Sequence, residues 1–79
     1  MATYTLIGDV DAADTVICIA PAYVKAHEWP CVVEIEGELM AITGGDGTTS
    51  ISVERGYAGT TAADIASGQT MSDVTATYA

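Results

Sequence analysis

The chain alternates apolar and polar residues in runs of about five and breaks each run with turn chemistry, a pattern that leaves room for little except short strands. In VVEIEG (32–37), Val33 and Ile35 alternate with Glu34 and Glu36, as in a half-buried strand. Gly37-Glu38 reads as a tight turn, and LMAIT (39–43) carries the chain back, so the two runs form a hairpin. GGDGTT (44–49) is a second glycine-dense turn of the kind that supplies positive φ. In the following ISVER, Ile51, Val53 and Arg55 share one face, and Ser52 and Glu54 the other. Two more runs precede the hairpin, TYTLIG (3–8) and TVICIA (15–20). SDVTATYA (72–79) closes the chain, alternating Val74, Ala76 and Tyr78 against threonines. TVICIA is apolar on both faces, Val16 and Cys18 on one and Ile17 and Ile19 on the other. Such a strand is expected either at the centre of a small sandwich or half covered by a partner. The expected fold is all-β: a small barrel or sandwich of five to six short, mostly antiparallel strands in one domain over residues 1–79.

One segment interrupts this pattern. In ERGYAGTTAADIASGQ (54–69), Gly56 and Gly59 permit the positive φ that lets a chain turn sharply out of a strand. Thr61 followed by Asp64 fits a weak form of the capping box, in which a hydroxyl and a carboxylate exchange bonds with each other's amides. Ala62, Ala63, Ile65 and Ala66 then suit one or two helical turns, and Gly68 is placed to stop them. The expectation is a β-fold corner with one short capped helical turn. A phosphate cradle is the functional alternative for the same glycines and threonines, but the P-loop lysine is missing from them. Arg55 is the only arginine. Its planar fork suits pairing with a carboxylate or capping carbonyls at this corner, and would suit a subunit interface equally well.

PAYVKAHEWP (21–30) is the longest irregular stretch, and the chain contains no phenylalanine. Tyr23, His27 and Trp29 can form a surface patch or fold back as the lid of the core. The lid is favoured for the stretch. Aromatic residues are enriched at interfaces, and Trp29 is the first candidate for a contact residue, with Tyr23 and Tyr78 beside it.

Composition limits the partners. Eleven acidic residues stand against two basic ones, a formal net charge of −9. Phosphate recognition relies on clustered Lys and Arg, so nucleic acid is not an expected partner. The acids are dispersed along the chain, which reads as a solvated face. No apolar run approaches the ~20 residues that span a bilayer, so no membrane is expected. The start, MATYTLIGDVD, shows neither a basic region nor a long apolar run, which sets the expectation of a chain made in the cytoplasm without a signal peptide. No disulfide is then expected between Cys18 and Cys31, and Cys18 is expected as a small buried hydrophobe. Two cysteines and one histidine fall short of a zinc set. Asp9, Asp11 and Asp14 lack the glycine and glutamate of a calcium loop, and a polar turn with a short helical piece is the preferred reading. Cys31 with His27 is the nearest approach to a nucleophile and base, so no enzyme activity, cofactor or metal is expected. A domain this small removes only about 60% of its unfolded surface from water, so an oligomer or a host surface should supply part of its stability.

The stretch VVEIEGELMAITGGDGTTSISVERGYAGTTAADIASGQTM resembles a segment of tailed-bacteriophage virion proteins, in which an ExMxVT hairpin is followed by TRGxxGTTAAxHxxG. YTLIGDVDAADTVICIAPA is similar to the strands that often precede it, so the likeness covers nearly the whole chain. Where that pattern commonly has histidine, this chain has Ile65, so any contact made by the imidazole is absent here or replaced by packing. The resemblance implies a non-enzymatic virion structural component, and a chain of this size suits a capsid decoration (cement) protein. Its implied partners are the major capsid protein and further copies of itself, with a trimer favoured, on the capsid surface of the virion. A head-tail connector or tail accessory protein is the alternative.

Overall fold

The computed structural model describes residues 2–25 and 28–78. His27 therefore lies outside the described residues. Six strands form the molecule: β1 (Thr3–Leu6), β2 (Val16–Ala20), β3 (Cys31–Ile35), β4 (Glu38–Gly44), β5 (Ser50–Glu54) and β6 (Thr70–Asp73). They close into a barrel in the order β1-β2-β5-β4-β3-β6, every neighbouring pair antiparallel. The fold is thus the barrel of the two architectures expected. Both terminal strands are paired on both sides, β1 with β2 and β6, and β6 with β1 and β3.

Alternation decides what fills the barrel. Tyr4 and Leu6, Ile17 and Ile19, Val33 and Ile35, Met40 and Ile42, and Ile51 and Val53 all point inward and are buried. Their opposite numbers on β2 face out. Val16 is 55% exposed and Cys18 is also exposed, so Cys18 is not the buried hydrophobe expected of it. The reason is architectural: a barrel wall is one sheet thick, and the interior needs only Ile17 and Ile19 from this strand. Val32 and Leu39 also point outward yet are buried, because a short helix, α1 (Thr75–Tyr78), packs over β3 and the turn at Tyr57–Gly59 packs over β4.

The two ends of the barrel are closed differently. At one end the segment after β2 folds back as a lid. Tyr23 is fully buried, its ring 5.4 Å from that of Tyr4 and 6.4 Å from that of Trp29. At the other end Val10 and Ile65 form an isolated antiparallel bridge, with 2.8 Å amide-to-carbonyl bonds in both directions, and both side chains are buried. Aliphatic packing at Ile65 therefore closes the position where the resembling segments commonly carry histidine.

Three local expectations are corrected. The β3–β4 turn is Glu36-Gly37, not Gly37-Glu38: Ile35 pairs with Glu38, and the two turn residues have φ of 53° and 80°. Positive φ at both central positions is the turn whose twist matches a two-residue hairpin. Glu38 thereby becomes a strand residue, buried at 4% exposure. Next, residues 61–66 form no helix and the Thr61/Asp64 box is not made. The Asp64 carboxylate instead accepts the amide of Ala12 at 2.8 Å, and Ile65 joins Val10. Nucleating an isolated helical turn is costly, whereas the bridge buries Ile65 outright. Gly68 (φ 93°) then turns the chain into β6, its amide donating to Leu6, and stops no helix. Finally, 75–78 coil into α1 instead of extending β6. Asp73 accepts both the amide and the hydroxyl of Thr75, at 3.0 and 2.6 Å, a local alternative to the strand ladder. Buried Thr75 in turn accepts the Val32 amide at 2.9 Å and anchors α1 to β3.

Candidate functional site

The only arginine and a buried glutamate meet at the end of the barrel that carries the 54–69 corner. Arg55 leaves β5 as Glu38 enters β4, and these strands are neighbours, so the two side chains converge. Arg55 Nε donates to Glu38 Oε2 at 2.7 Å and Nη2 to Oε1 at 2.9 Å, a bidentate pair. The remaining donors reach backbone: Nη1 to the carbonyls of Asp11 (2.8 Å) and Asp14 (3.0 Å), and Nη2 to that of Ala63 (2.8 Å). A guanidinium has five N–H donors, and all are engaged. Glu38 also accepts the amides of Gly56 at 3.2 Å and Ala63 at 3.1 Å. The side chains are 7% and 4% exposed, so the pair is internal. Together they tie the 11–14 loop, the start of β4 and the 55–63 corner into one unit.

The electrostatics follow. Burial pushes the Glu38 carboxyl up, but the Arg55 hydrogen bond and the Gly56 and Ala63 amides outweigh it and hold the group below its ordinary 4.5. The hydrogen bond to Glu38 raises Arg55 further above its already high ordinary value. A carboxylate and guanidinium so saturated have no spare donor or acceptor pointing at a substrate. They act as a brace.

The corner around the brace is a tight turn. Gly56 sits at φ 62°, and a Cβ there would lie 2.9 Å from the Thr60 carbonyl oxygen. Gly59, at φ 85°, has open space where a Cβ would be. Thr60, not Thr61, does the bonding: its hydroxyl donates to the Tyr57 carbonyl at 2.8 Å and accepts the Leu39 amide at 3.0 Å. Thr61 is exposed and lines a cleft of about 650 Å³ with Glu36, Asp64 and Gln69. Thr60 and Glu38 both escaped the sequence reading. The register that buries Glu38 turned on a one-residue shift of the hairpin turn, and an adjacent pair of threonines carries no signal for which one faces in.

Of the other contact candidates, Tyr23 is withdrawn from the surface. Its hydroxyl donates to Asp73 at 3.1 Å, and burial, then Cys31 and the Asp73 charge, raise its pKa, so it stays a neutral phenol. Arg55 is likewise committed to the interior. Trp29 is half-buried against the core, with the Lys25 ammonium 4.6 Å above its ring. Tyr78 is 45% exposed on α1. Trp29 and Tyr78 are both at the lid end. Acids gather at the brace end, in Asp9, Asp11, Asp14, Glu36 and Asp64. Several of their carboxylates serve loop amides: Asp11 takes that of Ala13, Asp14 that of Asp11, and Asp9 that of Ser67. Among the described residues, no group of three or more metal-ligating side chains is placed to hold an ion.

The outer wall of β1, β2 and β5 is different again. Ile7 lies just beyond β1, and its amide donates to the Cys18 carbonyl, which sets these two residues side by side. Val16 pairs with Ser52 and Cys18 with Ser50. Thr5, Ile7, Val16, Cys18, Ser50 and Ser52 are exposed and uncharged, and exposed Glu54 follows Ser52 on the same face of β5. Compared with protein-family models and with curated proteins, the chain matches none.

Proposed function

We propose that this chain is a non-enzymatic capsid decoration protein of a tailed bacteriophage, an oligomer that binds the outer surface of the major capsid shell and stabilises the expanded head. The observation that carries the reading is the fate of RGYAGTT, the segment on which the resemblance rests. Its arginine is spent on Glu38 and three carbonyls, and its glycines on a turn, so the motif serves a small rigid barrel. A brace of that kind suits a part whose work is mechanical.

In this reading the protein binds a site spanning neighbouring capsid subunits that exists only after expansion. Binding one state of the shell stabilises it by mass action, about 2.7 kcal/mol per site at a ligand concentration a hundred times Kd. Trp29 and Tyr78, at the lid end, are the contact residues to test. Expanded heads with and without the chain would be compared in a thermal melt. The expected result is a higher melting temperature with the chain bound. Heads equally resistant without it would refute the cement role, and a tagged copy found only on isolated tails would move the protein to the tail.

A further inference from the structure

We propose that Asp73 is a positioning residue that couples the lid to the C-terminal helix α1, so that the two open and close as one unit. The observation that carries it is the division of one carboxylate between two arms. Its Oδ2 accepts the hydroxyl of Tyr23, the buried residue of the lid, at 3.1 Å. Its Oδ1 accepts the amide and the hydroxyl of Thr75, the first residue of α1, at 3.0 and 2.6 Å. Parity along β6 puts Asp73 on the same face as buried Met71, so its side chain stands at the mouth of the barrel that Tyr23 plugs.

Each arm is lightly held apart from this carboxylate. A helix of four residues is too short to be stable alone, and Thr75 is the only residue of α1 that is buried. Its further anchor is the exchange between the Thr75 hydroxyl and the Val32 backbone. On the lid, the Tyr23 ring lies between those of Tyr4 and Trp29, and its backbone bonds to Gly47 and Thr48. The coupling has a definite sign. The two Thr75 donors fix the rotation of the carboxylate and aim Oδ2 at the phenol. When α1 lifts, half-buried Asp73 turns toward water, and the Tyr23 hydroxyl loses its carboxylate acceptor while still buried. That loss favours the open lid by roughly 5- to 150-fold, and lid opening acts on α1 by the same factor because coupling is reciprocal. Trp29 stacks on the lid and Tyr78 belongs to α1, so a partner that holds either aromatic also fixes the other. This last consequence rests on the contact role proposed above, whereas the coupling is a property of the chain alone.

Cys31 supplies the probe. Its thiol lies against the Tyr23 hydroxyl and is fully buried, whereas Cys18 is exposed. Iodoacetamide therefore labels Cys18 directly and Cys31 only through opening, and mass spectrometry separates the two sites in the full chain without any capsid. Cys31 labelling should rise less steeply with urea than global unfolding does, as a local opening requires. Thr75→Val should speed it roughly 5- to 150-fold with Cys18 labelling unchanged. In a Tyr23→Phe background, which has no hydroxyl to strand, the same substitution should change it by no more than about twofold. Asp73→Ala strands that hydroxyl permanently and should label Cys31 at least as fast as Thr75→Val, and urea midpoints verify that each variant is folded. A general weakening of the barrel would instead multiply the rate by one factor in both backgrounds, and that result overturns the proposal. So does Thr75→Val without effect on Cys31, slower labelling in Asp73→Ala, or Cys31 labelled only at the rate of global unfolding. Each of these outcomes leaves the capsid reading to the melting of the heads.

Discussion

Replacing Glu38 with glutamine tests whether the brace holds the barrel together. The two side chains are 7% and 4% exposed, so the pair belongs with buried ion pairs, where removing one partner costs about 3–5 kcal/mol, and not with surface pairs worth about 0–1. The bond inventory places Glu38→Gln within that range. The carboxylate accepts four hydrogen bonds, two from Arg55 and one each from the Gly56 and Ala63 amides. A glutamine oxygen can keep about two of them, and its NH₂ would face donors. The guanidinium is left with three carbonyls and no counter-charge. A domain of 79 residues has roughly 4–12 kcal/mol of total stability, so the loss is a large fraction of it. In urea unfolding followed by Trp29 fluorescence, with a slope of about 1 kcal/mol/M for so small a chain, the midpoint should fall by roughly 3 M. The double variant Glu38→Met/Arg55→Met should recover part of the loss, since it buries no orphan charge. Its recovery is partial, because the amides of Gly56 and Ala63 and the carbonyls of Asp11, Asp14 and Ala63 lose their partners. A Glu38→Gln protein within 1 kcal/mol of the parent would refute the brace and mean that water substitutes freely at this corner.

The same pair fixes an acid limit. Because the folded Glu38 carboxyl titrates below 4.5, its stabilisation is complete above that pH and is lost as pH falls through the folded value, while Arg55, raised by the same pair, stays charged throughout that range. Urea midpoints should thus drop below pH 4.5, and Glu38→Gln should flatten that drop; an equally steep drop in the variant would assign it to other carboxylates. Gly56→Ala should cost clearly more than Gly59→Ala: both pay about 1–2 kcal/mol for positive φ, and only Gly56 adds a 2.9 Å approach to a carbonyl oxygen. Equal melting temperatures for the two variants would contradict that. Ala58, held at φ 55°, should accept glycine with a gain of up to about 1 kcal/mol, read as a raised melting temperature, and a lowered one would mean its methyl is packed.

The parts of this fold that follow from local chemistry were legible in the sequence. Period-two alternation in VVEIE and ISVER put the right residues inward, because a side chain's face depends only on its parity along the strand. Arg55 was legible in kind, since a lone arginine in an acidic chain has few other uses, and it both pairs with a carboxylate and caps carbonyls. Its partner was not. Glu38 is buried through a hairpin turn one residue earlier than read, and a two-residue turn that requires positive φ at both positions looks the same whether Gly37 is first or second in it. The Thr61/Asp64 box failed for a long-range reason: Asp64 and Ile65 are claimed by Ala12 and Val10, more than fifty residues away. Cys18 failed because alternation predicts which face a residue occupies but not whether that face is covered. TVICIA required a covered second face or a partner, and the barrel supplies no cover.

Closure of the barrel restricts how any partner can be bound. An open sheet offers its edge strand for backbone pairing with another chain. Here β1 and β6 pair with each other and with β2 and β3, so neither retains a free ladder edge. Partner contacts must then come from side chains on a wall or at an end, which makes the unequal decoration of those surfaces decisive. The brace end concentrates acids around an arginine whose charge Glu38 has already cancelled. The lid end presents Trp29, Lys25 and Tyr78. On the β1–β2–β5 wall the uncharged stretch of Ile7, Val16, Cys18, Ser50 and Ser52 ends at exposed Glu54.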